Sequence, residues 1–235
     1  ERIDMVIVLD RSGSMNDNDP ESISVAAASF LVEQLALLGD RNRVAIVPFS
    51  NRAHILGQHT PNPARALQAP TGSLIEMMAA GVSEGPSFPF RETASDNPAA
   101  LLSVLRGQMR IAGGDTDLLS ALRLARGILR NSPREAKKYL FLICDGRPEL
   151  DRWDGPRKDE FAKIFGAGLA LNHEGRNRQY RDYIRDTEAP AIGREGIELM
   201  PVAFQGKSAK AARKAGELEA YLRELKRKSN GDGEI

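Results

Sequence analysis

Long apolar runs alternate along the chain with segments whose apolar positions recur every three or four residues. The runs predict buried strands, and the segments between them predict helices that cover the sheet. The first run, Ile3–Leu9, is almost continuously apolar and ends at Asp10, which is typical of a central parallel strand. Further strands are predicted at Arg43–Phe49, Lys138–Cys144 and Ile197–Phe204, with a short one at Ala53–Leu56.

Residues 19–38 are predicted to form the first helix. Asp19 is suited to capping its amino terminus, Pro20 suits the first turn, and Gly39 ends it. An Asp17–Asp19 metal site is the other interpretation, but the stretch lacks the glycine and distal glutamate of a calcium loop. Helical spacing predicts a core-facing side made of Ile23, Ala26, Ala27, Phe30, Leu31, Gln34, Leu35 and Leu38.

A second helix is predicted for Thr116–Arg130, and others for Pro98–Met109 and Ser208–Lys228. In Thr116–Arg130, three leucines and an alanine recur at helical spacing and are expected to face the core. Three arginines are expected to face water. The two sets are Leu118, Leu122, Ala125 and Leu129 for the core, and Arg123, Arg126 and Arg130 for the solvent.

Two segments interrupt this pattern and are interpreted as insertions into a single domain that spans residues 1–235. Residues 57–97 are rich in proline and glycine, with one short helical candidate at Leu74–Ala80. Residues 150–193 are polar and balanced in charge, with a helix predicted at Phe161–Leu171. Strands that alternate with helices indicate an α/β fold with a mainly parallel sheet. Ligands of such sheets bind beyond the carboxyl ends of the strands.

Composition narrows the class of protein without naming a function. The 235 residues carry a net charge of +1, with 41% hydrophobic and 28% charged residues, which is ordinary for a soluble globular domain. The single cysteine, Cys144, excludes an internal disulfide. No basic cluster is interleaved with aromatic residues, so no nucleic-acid partner is predicted. No apolar run approaches the roughly 18 residues of a spanning helix, so this segment is expected to make no membrane contact itself.

Oxygen-bearing side chains follow two predicted strands and open one predicted helix. Asp10, Ser12 and Ser14 lie on a turn after the first strand, Thr116 opens a helix, and Asp145 follows the strand Lys138–Cys144. No histidine or cysteine ligand accompanies them, and an all-oxygen set suits a hard cation. Mg²⁺ is the first choice, with Mn²⁺ or Ca²⁺ as alternatives. Because hydroxyl ligands are neutral, the bound ion would keep positive charge and attract a carboxylate from outside.

The order and spacing of these residues resemble the metal-ion-dependent adhesion site of von Willebrand factor type A domains, particularly bacterial ones. The resemblance rests on Asp10-x-Ser12-x-Ser14, on Thr116 after two glycines, and on Asp145 before Gly146. It extends from residue 3 to about residue 228. The segments that carry it are DMVIVLDRSGSM, RVAIVPFS, GGDTDLLSALRLA and YLFLICDGRPE.

The resemblance implies a Rossmann-like three-layer αβα sandwich whose mostly parallel sheet has one short antiparallel edge strand. It implies direct metal ligation by Ser12 and Ser14, ligation by Thr116 directly or through water, and contributions of Asp10 and Asp145 through water. The two insertions are longer than the usual connections of the family. The last strand and helix of the family are missing or only begun, so we expect a cut domain.

Three functions can be considered for a site made of these residues. The first is an adhesion or interaction module, not an enzyme, in which Mg²⁺ coordinates a partner's Glu or Asp. The second is a scaffold that works with an AAA+ ATPase, in which the metal is structural or absent. The third is a phosphatase with Asp10 as nucleophile, which is disfavoured because Ser12 occupies the position of the general acid. An extracytoplasmic parent protein, membrane-anchored or secreted, is favoured over a cytoplasmic one.

Other residues near the predicted site leave alternatives open. Asp115 and Asp117 flank Thr116 and are either solvated or a source of negative charge beside the metal. His54, His59 and His173 have no zinc-like spacing and are interpreted as ordinary surface or core residues.

Overall fold

A computed structural model gives the structure of the protein over most of its length. The residues described are 2–19, 21–38, 42–50, 114–150, 155–170, 172–204 and 209–231, together with Ala53, Leu102, Ser103 and Leu105. The segment 57–97, with the helical candidate Leu74–Ala80, lies outside them. Of the predicted helix Pro98–Met109, Leu102, Ser103 and Leu105 are helical, and the remainder lies outside the described residues.

The described residues form four strands: β1 (Ile3–Asp10), β2 (Arg43–Phe49), β3 (Lys137–Cys144) and β4 (Ile197–Ala203). The strands are parallel and form one sheet in the order β2-β1-β3-β4. The central pair is held in register by Leu9 opposite Ile143, so the carboxyl ends of β1 and β3 lie side by side. Ala53 makes a single antiparallel bridge with Phe49, and the rest of the short strand predicted at 53–56 lies outside the described residues.

Helices cover both faces of the sheet, which confirms the three-layer α/β architecture. Alternate residues of β1, β2 and β3 enter two separate hydrophobic clusters: in β1, Val6 and Val8 belong to one, and Met5, Ile7 and Leu9 to the other. A 3₁₀ turn, Gly166–Gly168, follows α4, and a π turn, Ile184–Glu188, joins α5 to α6. The helices are α1 (Met15–Asn18), α2 (Ile23–Leu37), α3 (Leu118–Arg130), α4 (Gly155–Phe165), α5 (His173–Tyr183), α6 (Ala189–Arg194) and α7 (Ala209–Ser229).

The start of α2 confirms the capping role predicted for Asp19. Its carboxylate accepts hydrogen bonds from the backbone N–H groups of Ile23, at 2.6 Å, and Ser24, at 3.0 Å. The helix itself begins at Ile23, after the separate short helix α1. Both carboxylate oxygens of Asp19 accept hydrogen bonds from the start of α2. This favours the capping interpretation over a second metal site at Asp17 and Asp19.

The predicted core face of α2 is correct at Leu35, which is buried, and at Leu31, which is partly buried, but wrong at other positions. Ile23, Phe30 and Leu38, expected to be inside, are 50%, 58% and 70% exposed. Apolar residues occur nearly all round this helix, so their spacing alone does not select one face. The residues that pack against β1 and β2 are Val25, Ala28, Val32 and Leu35.

The arginines of α3 do not simply face water, which corrects a second expectation. Arg126 lies 2.7 Å from Oε1 of Glu188, and Arg130 lies 2.6 Å from Oε1 of Glu195. Arg123 also approaches Glu188, at 3.4 Å. These ion pairs join α3 to the π turn and to the residue that follows α6. The apolar side of α3 packs in the core as predicted.

The segment 150–193, predicted to contain one helix at Phe161–Leu171, is more helical than expected. Its first helix is α4, which ends at Phe165, and α5, the π turn and α6 follow with little interruption. Tyr180, Ile184 and Ile192 are fully buried in the same cluster as α3. Because α5 is mostly charged and polar, these few buried residues do not produce a recognisable helical period in the sequence.

Candidate metal centre

The turn after β1 places one carboxylate and two hydroxyl groups close together. Asp10 is fully buried at the end of the strand, and its Oδ1 accepts a hydrogen bond of 2.8 Å from the backbone N–H of Ser12. The hydroxyl oxygens of Ser12 and Ser14 are 3.1 Å apart. The turn is anchored to the sheet because Arg11 N–H donates to the carbonyl of Phe49 at 2.8 Å. This turn therefore presents its three predicted ligand residues as one unit.

The loop after β3 joins this unit through side chains. Ser14 Oγ donates to Oδ1 of Asp145 at 2.9 Å, and Asn18 Nδ2 donates to Oδ2 of the same carboxylate at 2.9 Å. Asn18 is a site residue that the sequence interpretation missed. Since α1 places residue 18 one helical turn after residue 14, recognising that short helix would have identified it.

Backbone hydrogen bonds tie the loop of Thr116 to both other loops. Gly114, in the left-handed region at φ 90°, accepts a bond of 3.3 Å from Gly13 N–H through its carbonyl. Thr116 N–H donates to the carbonyl of Glu149 at 2.9 Å. Asp117 is the N-cap of α3, where its side chain accepts from Ser120 N–H. These bonds bring the three loops together at one edge of the sheet.

The three loops border one groove of about 370 Å³. Among the five predicted ligand residues, Ser14, Thr116 and Asp145 line it, whereas Asp10 and Ser12 are reached through the hydrogen bonds of the β1 turn. Of the two acids that flank Thr116, Asp115 lines the groove and Asp117 does not. Asn18, Arg147, Glu149, Gly13, Gly114 and Gly146 complete the lining.

The two carboxylates at this edge are unfavourable as anions in the absence of a cation. Burial, and then the charge of Asp145, raise the pKa of Asp10 to about 7. Burial also raises the pKa of Asp145, although the hydrogen bonds from Asn18 and Ser14 oppose the shift. A cation between these groups would favour both charged forms.

One buried oxygen atom of the site lacks a hydrogen-bond partner among the described residues, and a cation or its bound water would supply that partner. Oδ2 of Asp10 is buried and has no hydrogen-bond partner within the part of the chain that the structure describes. The same described ranges contain no group of three or more His, Cys, Asp or Glu side chains placed to hold a metal. Two carboxylates and three hydroxyls fit a hard cation and do not resemble a zinc site of nitrogen and sulfur ligands.

Comparison with known protein families supports the resemblance noted in the sequence. A family model of the von Willebrand factor type A domain matches residues 5–77, which include most of β1 and all of α1, α2 and β2. No curated protein sequence matches the chain. None of the helices within the described ranges is long and apolar enough to cross a membrane.

Several solved structures share the fold. Proximal thread matrix protein 1 from the mussel byssus is 14% identical, with a TM-score of 0.51, over 96% of this chain and 39% of that one. A structure of the same matrix protein with a zinc-occupied MIDAS motif is 13% identical, with a TM-score of 0.50, over 97% of this chain and 46% of that one. The pilus adhesin SpaC from Lactobacillus rhamnosus GG is 14% identical, with a TM-score of 0.51, over 98% of this chain and 28% of that one.

The chain therefore spans less than half the length of these proteins, and at such identities the likeness concerns the fold. The parallel sheet, the helices on both of its faces and the family match over residues 5–77 agree with one another. Together they show that residues 5–77 match the von Willebrand factor type A family and that the described part of the chain shares the fold of these structures.

Proposed function

We propose that this domain binds a protein partner through a divalent cation held by Asp10, Ser12, Ser14, Thr116 and Asp145. The observation that carries the proposal is the hydrogen bond from Ser14 to Asp145, which joins the first and third loops at 2.9 Å. Mg²⁺ is the expected ion, with Mn²⁺ or Ca²⁺ as alternatives, because every ligand atom is an oxygen.

The five residues would play different parts. In keeping with the family resemblance, Ser12 and Ser14 ligate the ion directly, Thr116 ligates it directly or through water, and the two aspartates act through water. The burial of Asp10 supports this division of roles. One of its carboxylate oxygens accepts a hydrogen bond from the Ser12 backbone, and the other is buried without a hydrogen-bond partner among the described residues. When bound, the cation supplies a positive charge and a coordination position that faces the groove.

The partner would contribute a Glu or Asp carboxylate to that open position. The three proposed hydroxyl ligands are neutral and the two aspartates are proposed to act through water, so no protein carboxylate would occupy the inner coordination shell of the ion before the partner binds. Arg147 lines the same groove and pairs with Glu217 of α7 at 2.8 Å. A partner's carboxylate that approaches this edge could compete with Glu217 for the Arg147 guanidinium, which is partly exposed.

An extracytoplasmic parent protein is part of the proposal. It is motivated by the shared fold with a pilus adhesin and with a matrix protein of the mussel byssus. One structure of that matrix protein has zinc in its MIDAS motif, so Zn²⁺ belongs in any test of metal preference.

We also propose that the domain is not an enzyme. Asp10 is the acid that a phosphatase mechanism would need as nucleophile, yet it is 0% exposed and engaged with the Ser12 backbone. Ser12 stands where the general acid would be required and cannot donate a proton near neutral pH.

Metal binding is tested by calorimetric titration of the folded domain with Mg²⁺, Mn²⁺, Ca²⁺ and Zn²⁺ in turn. We expect one ion per domain, and for Ser14→Ala a loss larger than the roughly 10-fold that removal of an outer-shell group causes. The matched control is Ser29→Ala, because Ser29 is buried in α2 and its hydroxyl makes no hydrogen bond to any described residue. If the folded wild-type domain binds none of the four ions, the proposal is wrong.

The partner chemistry is tested with a displayed library of random peptides selected on the domain in Mg²⁺ or in EDTA. Enrichment is expected only in Mg²⁺, and each selected peptide should contain an Asp or Glu whose replacement by Asn or Gln abolishes binding. Peptides that bind equally well in EDTA, or without a required carboxylate, would contradict the mechanism.

A further inference from the structure

Two side chains of α5 hold the loops that carry Thr116 and Asp145. Asn177 and Tyr180 are three residues apart, so they lie on the same side of the helix. Both are buried, with 2% and 0% of their surface exposed. Neither belongs to the five proposed ligands, and neither lines the groove.

Tyr180 acts on the start of α3. Its hydroxyl accepts a hydrogen bond from the backbone N–H of Leu119 at 2.9 Å and donates one to Oδ1 of Asp117 at 2.9 Å. Asp117 is the N-cap of α3 and directly follows Thr116. The tyrosine therefore fixes the residue that sets where α3 begins, and with it the direction in which the chain leaves Thr116.

Asn177 acts on the loop after β3. Its side-chain oxygen accepts from Leu150 N–H at 3.0 Å, and its side-chain nitrogen donates to the Leu150 carbonyl at 3.3 Å. The neighbouring carbonyl of Glu149 is the acceptor for Thr116 N–H, at 2.9 Å. The loop that begins with Asp145 is thus held at its far end by Asn177 and is joined from there to Thr116.

Other contacts keep α5 in place when these hydrogen bonds are removed. The ring of Tyr180 packs edge-on against Phe161 with centroids 5.3 Å apart, and Glu188 pairs with Arg126 at 2.7 Å. A phenylalanine at position 180 would keep the ring contact and lose only the hydroxyl. Loss of the Tyr180 hydroxyl is therefore expected to change the geometry of the loops more than the packing of α5.

We propose that Tyr180 and Asn177 are positioning residues that hold Thr116 and the loop of Asp145 in the arrangement that binds the cation. This inference rests on the proposed metal site. It assigns to the segment 173–188, outside the ligand loops, a part in setting metal affinity.

The test compares Tyr180→Phe with Tyr183→Phe. Tyr183 belongs to the same helix, and its hydroxyl accepts a hydrogen bond from Arg123 at 2.9 Å, on the part of α3 away from the ligand loops. Mn²⁺ affinity is measured by calorimetry, and unfolding temperature is measured in EDTA. Tyr180→Phe should weaken Mn²⁺ binding about 10-fold, as loss of an outer-shell group typically does. Tyr183→Phe should leave affinity at the wild-type value, even where it lowers the unfolding temperature.

A second variant and a second readout separate this inference from the proposed function. Asn177→Ala should also weaken Mn²⁺ binding. Hydrogen exchange of the metal-free protein should become faster at residues 116–119 in Tyr180→Phe and at Leu150 in Asn177→Ala, but at neither place in Tyr183→Phe. Wild-type affinity and wild-type exchange in both folded variants would overturn the positioning role. Failure of the wild-type protein to bind any ion overturns the proposed function, and this inference with it.

Discussion

Ser14 and Asp145 are 131 positions apart in the chain, yet the serine hydroxyl donates a hydrogen bond of 2.9 Å to the aspartate. The contact follows from the topology, because β1 and β3 are adjacent and parallel and their carboxyl ends lie together. Asn18 donates to the other oxygen of the same carboxylate. The orientation of Asp145 is therefore set by two residues of the β1 turn and α1.

Asn18→Ala should weaken cation binding without unfolding the domain. Loss of its bond to Oδ2 leaves the Asp145 carboxylate held by Ser14 through Oδ1 but no longer by Asn18, and outer-shell losses of this kind cost about 10-fold or more in affinity. Calorimetric titration with Mg²⁺ measures the effect. Asn16→Ala is the control, because Asn16 is exposed on the same short helix. Equal affinities for the two variants would show that Asn18 does not orient the site.

The stability of the metal-free domain should fall as pH rises from about 4 to about 7. Asp10 has its pKa raised from 3.8 to about 7 in the folded state, so the folded protein holds a proton there that the unfolded chain has lost. Asp10→Asn should remove this contribution and be more stable than wild type at pH 8 in EDTA. A gain of about 1 kcal/mol would raise the unfolding temperature by roughly 2–4 °C for a domain of this size.

The control for that measurement is Asp159→Asn, at an exposed position of α4. Unfolding temperatures of the three proteins are compared between pH 5 and pH 8. If Asp10→Asn retains the wild-type pH dependence, the buried carboxylate of Asp10 is not its source.

Asp19→Ala should destabilise the fold and leave metal affinity unchanged. The variant removes an acceptor for two backbone N–H groups at the start of α2, and loss of such a cap costs about 0.5–2 kcal/mol. Asp17→Ala, in the exposed part of α1, should change neither property. Thermal unfolding measures the stability of both variants, and calorimetry measures their metal affinity. A loss of metal affinity in Asp19→Ala would support the second-metal interpretation instead.

Glu188→Gln should be among the more destabilising single changes in the described part of the chain. It removes the buried counter-charge of Arg123 and Arg126, and breaking a buried pair costs up to about 3–5 kcal/mol. The cost is less here because the arginines are partly exposed and Arg126 keeps an ion pair with Glu195 at 3.5 Å. Chemical denaturation provides the measurement. Glu224→Gln removes an exposed pair with Arg227 on α7 and should have no measurable effect. Similar stabilities for the two variants would contradict the role given to Glu188.

Much of the fold can be predicted from the sequence because its central strands are buried on both faces. Ile3–Leu9 and Lys138–Cys144 are apolar for that reason, and both strands are present with ends shifted by one residue at most. The position of the candidate site follows from the same pattern, since polar residues after such strands meet at one edge. The structure brings Ser14, Thr116 and Asp145 to a common groove, while metal ligation itself remains a prediction.

The features that the sequence did not reveal depend on contacts distant in the chain. Phe30 is exposed and Val32 is buried because of where α2 lies on the sheet, and apolar residues around the whole helix carry no information on that choice. The arginines of α3 resemble a solvated stripe until Glu188 and Glu195 are brought beside them. Asn177 and Tyr180 give no local signal, because the groups they bind belong to other loops.

The π turn at Ile184–Glu188 determines which residues of this helical segment can face α3 at the same time. In an uninterrupted α-helix, positions eight residues apart are roughly 80° out of phase, so Tyr180 and Glu188 would point in different directions. The wider turn removes most of that offset. Tyr180 then reaches Leu119 at the beginning of α3, while Glu188 reaches Arg126 two turns along it. A regular helix through residues 184–188 would have to give up one of these two attachments.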